Sequence, residues 1–199
     1  GSKQVRASGT IGGNIANGSP IGDTPPLLIA LGATLHLRHG DFERNLPLDE
    51  FFIAYGKQNR AAGELVWRIT VPKLKAIETF RAYKISKRFD QDISALLLAL
   101  KITRNGDKIV SARLAMGGMA ATPKRAAQTE AALQKVDLQN QATWGSAIDA
   151  LVEDYQPISD MRASAQYRIE TAQALLRKAL TEIAQDIELR VIKSAEVAA

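Results

Sequence analysis

Two long apolar runs, residues 94–103 and 109–116, meet across Asn105-Gly106-Asp107. That tripeptide is a tight-turn signal, so the runs are expected to pair as an antiparallel hairpin. With residues 80–85 read as a third strand, a meander results. From residue 123 the period changes. Residues 123–135, 142–155 and 162 to about 193 are alanine-rich, with apolar residues three and four apart, which predicts helices. Sheet followed by helices defines an α+β arrangement. Thr122 is the expected N-cap of the first helix, with Pro123 at its first position. Ser159 or Asp160 is expected to cap the last, which carries Ala163, Tyr167 and Thr171 on one face.

The first part of the chain has a different rhythm. Residues 8–23 are glycine-rich, with two asparagines and one charge, and read as an ordered loop that approaches a ligand. A short helix over 25–31 follows, with Asp23 or Thr24 as N-cap and proline in its first turn. Alternation in 34–38, the Gly40-Asp41 turn and residues 42–46 predict a hairpin, 48–55 a short helix, and 64–71 a strand ending at Pro72. Proline and two lysines in 72–77 break the pattern, which places a boundary between a first domain, 1–76, and a second, 77–199.

Composition narrows the chemistry. The chain of 199 residues has no cysteine, which excludes disulfides, thiolate metal sites and cysteine nucleophiles within it. Its 26 basic and 21 acidic residues leave a modest net charge of +5, interspersed rather than striped, which argues against nucleic acid as a partner. The longest apolar stretch, 93–102, carries Ser94 and Lys101 and falls far short of the roughly 20 residues that span a bilayer. Gly1-Ser2 reads as a cleavage scar, with no signal peptide after it. His36 and His39 sit at odd spacing in a strand and cannot chelate one metal as a pair.

No carboxylate cluster, serine elbow or P-loop is present, and Gly9-Thr10-Ile11-Gly12-Gly13-Asn14 lacks the spacing and the preceding strand of a dinucleotide fingerprint. Catalytic side chains are therefore not expected. The glycine pair remains informative: without a Cβ, Gly12 and Gly13 let backbone amides approach a phosphate, and Thr10 and Asn14 add side-chain donors. A tight turn between secondary elements would use the same residues.

The run GTIGGNIANGSPIGDTPP resembles the second half of the flavin-binding domain of molybdenum hydroxylases. FRAYKISKRFDQDIS, GGMAATPKRA and SDMRASAQYR resemble blocks in the FAD-carrying small subunits of bacterial xanthine dehydrogenases. The resemblance covers nearly the whole chain, with four motifs in order. It implies the C-terminal half of a vanillyl-alcohol-oxidase-type FAD domain, followed by a domain like the C-terminal one of carbon monoxide dehydrogenase flavoproteins. It also implies FAD contacts at Thr10, Ile11, Gly12, Gly13, Asn14, Asp23, Val66 and Lys84, and a charged loop at 86–92, with Lys87, Arg88, Asp90 and Asp92, where a nicotinamide acceptor approaches.

The function so implied is electron transfer from iron-sulfur clusters through FAD to NAD, while a molybdenum cofactor in a partner subunit hydroxylates a purine in the cytoplasm. A hydroxylase of carbon monoxide or an aldehyde, and a non-enzymatic interaction module, are the alternatives. The iron-sulfur region and the first half of the FAD domain are not in this sequence, so the isolated chain is expected to be inactive and to hold FAD weakly.

Overall fold

The structure, a computed structural model, describes residues 3–88 and 93–189. The chain opens with three helices, α1 (Lys3–Ser8), α2 (Ile11–Asn17) and α3 (Thr24–Leu31). Five strands follow: β1 (Thr34–His39), β2 (Phe42–Pro47), β3 (Phe52–Ala54), β4 (Lys57–Gln58) and β5 (Leu65–Thr70). The remaining strands are β6 (Glu78–Ile85), β7 (Leu96–Asn105), β8 (Lys108–Gly117) and β9 (Lys124–Arg125). The last helices are α4 (Ala127–Leu133), α5 (Gly145–Asp149), α6 (Leu151–Asp154) and α7 (Ala165–Gln185). Strands β2-β1-β5 form one antiparallel sheet and β6-β7-β8-β9 another. The α+β architecture expected from the sequence is the one observed.

The β7-β8 hairpin turns where Asn105-Gly106-Asp107 predicts. Asn105 pairs with Lys108, and Gly106 adopts φ 60°. Successive side chains of β7 point to opposite faces. Leu96, Leu98, Leu100 and Ile102 enter a core completed by Leu133, Ile148, Leu151, Leu176 and Leu180 from the helices behind. Leu97 and Ala99 enter a second core with Ile15, Ile29, Leu35, Leu37 and Phe51 from the first part of the chain. This double burial is why the run reads as continuously apolar.

Several local expectations are corrected. The loop expected over 8–23 contains helix α2: Oγ1 of Thr10 accepts the Gly13 amide at 2.9 Å, and Gly18 ends the helix at φ 64°. Burial of Ile15 stabilises by about 2 kcal/mol and offsets the roughly 1 kcal/mol that each interior glycine costs. The helix expected over 48–55 is a 3-10 turn, Leu48–Glu50, followed by β3. Over 123–135, Lys124–Arg125 extends the sheet as β9 and the helix starts at Ala127, so Thr122 and Pro123 do not open it. Over 142–155 one long helix is replaced by a 3-10 turn, Gln141–Thr143, and two short helices.

Helix α7 is capped by Ser164, whose Oγ accepts the Tyr167 amide at 3.1 Å, rather than by Ser159 or Asp160. Tyr167 on this helix is 47% exposed. The helix expected to run to about residue 193 ends at Gln185, where Asp186 turns left-handed at φ 51°, and residues beyond 189 lie outside the described residues.

Candidate functional site

Helix α2 lies against β5. Gly12 sits over Val66, and a Cβ built there would come 3.7 Å from Val66 Cγ1. Val66 is half-buried against the second core, facing inward opposite Leu37 rather than outward. Gly13 is required by the cap, since a Cβ there would lie 2.8 Å from Thr10 Oγ1. Thr10, Ile11 and Gly13 remain exposed. The Gly13 and Asn14 amides are used by Thr10, whereas those of Ile11 and Gly12 have no partner among the described residues. The glycine pair therefore lies at a helix start with two open amides rather than in an irregular loop.

Asn14 points the other way along the chain: its Oδ1 accepts Thr24 Oγ1 at 2.5 Å and ties α2 to the start of α3. Asp23 occupies the N-cap position of α3 but makes no side-chain cap bond. Its carboxylate is turned to the second sheet. Lys84 Nζ, on β6, donates to Asp23 Oδ2 at 2.7 Å, and the buried Ser94 hydroxyl donates to Oδ1. Two residues separated by 61 positions thus meet at one point, and their side chains stay 27% and 33% exposed.

Ser94 is a partner that sequence reasoning missed. Its signal was a lone hydroxyl at the head of an apolar run. Lys87 donates to the Met161 carbonyl at 2.6 Å, beside a cavity of about 370 Å³ lined by Lys87, Ile93, Ala95, Met161 and Arg162. Asp90 and Asp92 lie outside the described residues. A second cavity, of about 610 Å³ and lined in part by Asp49, Arg113, Arg125 and Glu130, involves none of these residues.

Asp160, next to the smaller cavity, is the most perturbed carboxylate nearby. Burial raises its pKa, but the Arg162 and Ala163 amides and the Arg162 and Arg168 guanidinium groups outweigh it and hold the pKa at about 2. A depressed folded-state pKa contributes stability that is present above the ordinary 3.8 and lost as pH falls toward about 2. At neutral pH the contribution is about 2 kcal/mol. Asp160→Asn should be less stable than wild type by that order at neutral pH, and urea titrations should show the difference shrinking below pH about 4. A constant difference across that window would contradict the assignment.

Among the described residues no group of three or more His, Asp and Glu is placed to hold a metal ion, and no helix is long and apolar enough to cross a membrane. Asp23, Lys84 and Ser94 share one hydrogen-bonded contact, and the Ile11 and Gly12 amides are open at the start of α2.

Comparison with known proteins matches two segments of the chain. Residues 1–74 match the FAD binding domain in molybdopterin dehydrogenase, and residues 81–183 match the CO dehydrogenase flavoprotein C-terminal domain. The chain belongs to this family, as an FAD-binding segment joined to that C-terminal domain. It is 37% identical over 172 residues to the nicotinate hydroxylase hnxS of Emericella nidulans, covering 83% of this chain and 13% of that one. It is 33% identical over 184 residues to the glyceraldehyde dehydrogenase medium chain of Sulfolobus acidocaldarius, covering 92% and 64%. The solved structure of reconstituted CO dehydrogenase from Oligotropha carboxidovorans superposes with a TM-score of 0.85 at 28% identity, over 92% of this chain and 64% of that one. The chain thus spans less than two thirds of these relatives.

Proposed function

We propose that this chain forms part of the FAD site of a molybdenum hydroxylase and relays electrons from iron-sulfur clusters to an acceptor, NAD. The observation that carries this reading is the meeting of Asp23 and Lys84 at 2.7 Å, tied to the Thr10–Asn14 turn by the hydrogen bond from Thr24 Oγ1 to Asn14 Oδ1. The residues present fit the group. The unpartnered amides of Ile11 and Gly12 suit a phosphate oxygen, the lysine adds a positive charge, and the carboxylate of Asp23 can accept from a hydroxyl. Val66 fills the space beneath Gly12 and fixes the height of the turn. Bound there, FAD would supply the redox chemistry, while the protein binds, orients and tunes it.

The sequence blocks of the FRAYK, GGMAATPKRA and SDMRASAQYR type support a purine as the substrate of the whole enzyme, acting in the cytoplasm with a molybdenum-cofactor subunit as partner. A second reading, hydroxylation of carbon monoxide or an aldehyde, is favoured by the 64% coverage of medium chains that carry those names. The enzyme containing this chain, assayed side by side with xanthine, carbon monoxide and glyceraldehyde, would separate the two.

Binding itself is tested on the 199-residue chain by adding FAD and following backbone amide resonances. Shifts are expected at Ile11, Gly12, Asp23 and Lys84, and their absence at millimolar FAD would refute the site. Lys84→Ala should weaken FAD binding about tenfold, the equivalent of about 1.4 kcal/mol. Its thermal stability should change by no more than about 0.5 kcal/mol, since a partly exposed ion pair contributes little to folding. Unchanged affinity would remove Lys84 from the site.

A further inference from the structure

The block around residues 159–168 makes none of the proposed flavin contacts, yet it carries a buried arginine paired with a partly exposed aspartate. Arg168, on α7, is 2% exposed and donates from Nη2 to Asp160 Oδ1 at 2.8 Å. Its Nη1 donates to two main-chain carbonyls, that of Gly118 at 2.6 Å and that of Ala95. Asp160 is held in turn by the amides of Arg162 at 2.8 Å and Ala163 at 3.2 Å. The guanidinium sits on the helix face shared with Ala172, Leu175, Leu176 and Ala179, where an apolar side chain would avoid the cost of burying a charge. What an apolar side chain could not do is donate to both carbonyls.

Both carbonyls are one step from the candidate site. Ala95 follows Ser94, whose hydroxyl donates to Asp23, and its own amide donates to the carbonyl of Ile85, the neighbour of Lys84, at 2.8 Å. The Gly118 amide donates at 2.8 Å to the carbonyl of Pro20, in the turn that leads to Asp23. One side chain therefore clamps the start of β7 to the end of β8, and through them reaches both halves of the Asp23–Lys84 contact.

Building on the flavin reading above, we propose that Arg168, oriented by Asp160, is a positioning residue that sets Asp23 and Lys84 for the cofactor. It touches neither the ligand nor the two residues it places. Its effect passes through Ser94 and the turn at Pro20.

The test uses the whole chain with Arg168→Met, Arg168→Lys and, as a comparison of similar stability loss, Leu176→Ala on the same helix. Arg168→Met should move the resonances of Ser94, Asp23 and Lys84 before any ligand is added and should weaken FAD binding about tenfold. Arg168→Lys, which keeps a donor and the charge, should recover most of both. Leu176→Ala should lower the melting temperature while leaving those resonances and the FAD affinity in place. The proposal is overturned if Arg168→Met leaves Asp23 and Lys84 unmoved, or if Leu176→Ala moves them equally. Should Arg168→Met fail to fold, Asp160→Asn retains the arginine, loosens its hold, and is read by the same resonances. The ligand-free shifts decide the positioning role independently of flavin, so a wild-type chain that shows no FAD-induced shift at Gly12 would sink the flavin reading alone.

Discussion

Replacing Gly118 by alanine is expected to destabilise the chain by about 4 kcal/mol. Gly118 has φ 78°, a left-handed conformation that costs an L-residue roughly 1–2 kcal/mol. Its added Cβ would lie 2.6 Å from the carbonyl oxygen of Ala95, 2.9 Å from Arg168 Nη1 and 3.3 Å from Leu96 Cα. Two of these three atoms are backbone, in the first residue of β7 and the one before it, so the neighbours cannot simply rotate away, and overpacking of this kind adds about 1–3 kcal/mol. For a chain near 200 residues, a loss of that size lowers the melting temperature by about 12 °C.

Gly106 is the control. It has φ 60°, but a Cβ added to it would meet nothing within 4 Å, so Gly106→Ala should show the backbone penalty alone. Equal melting temperatures for the two variants would mean that the close approach at Gly118 is not structural. Because Gly118 also accepts from Arg168 and donates to Pro20, its replacement should disturb the Asp23 contact as well, which the resonances of Ser94 and Lys84 would report.

How far the sequence disclosed this structure depended on whether the deciding interactions were local. The β7-β8 hairpin was legible because its turn residues and its strands lie side by side in the chain. Helix α2 was not: two glycines lower its propensity, and what fixes it is Ile15 packing into a core shared with a sheet some 80 residues away. Strand β9 was hidden because Pro123 reads as a helix start, while the pairing of Lys124 and Arg125 with Met116 and Ala115 is a tertiary fact.

The site divides in the same way. The glycine pair and Asp23 stood out by composition, but the link from Asp23 to Lys84 came from resemblance, since no periodicity joins positions 61 apart. Arg168 left one readable trace, a charge at helical spacing with Ala172, Leu175, Leu176 and Ala179, where a solvated residue does not belong.

Glu130→Ala is expected to cost about 3 kcal/mol, and its consequences should extend across the junction between the two cores. Glu130 is 6% exposed and accepts the Leu114 amide at 2.7 Å as well as the Arg125 guanidinium at 3.0 and 2.5 Å. Arg125 and Arg113 both approach Asp49, at 3.6 and 3.5 Å, and Arg113 donates to the Ile29 carbonyl at the end of α3. Burial and the neighbouring Arg125 already lower the Arg113 pKa, so the two cations tolerate each other only through the carboxylates between them.

Removing Glu130 leaves a buried amide unsatisfied, at about 1–3 kcal/mol, and an incompletely paired cation, and these penalties overlap rather than add. Glu130→Gln keeps an acceptor for the Leu114 amide but not the charge, and should fall between wild type and Glu130→Ala. Urea unfolding midpoints at constant slope measure that order, and Glu130→Gln as unstable as Glu130→Ala would assign the whole effect to charge. Asp49 lies in the 3-10 turn of the first part of the chain, and both arginines lie in the second sheet. Loosening this cluster should therefore loosen α3 on that sheet, and with it Asp23, which immediately precedes α3. Weaker FAD binding in Glu130→Ala would then come from the relative placement of Asp23 and Lys84 rather than from any lost contact to the ligand.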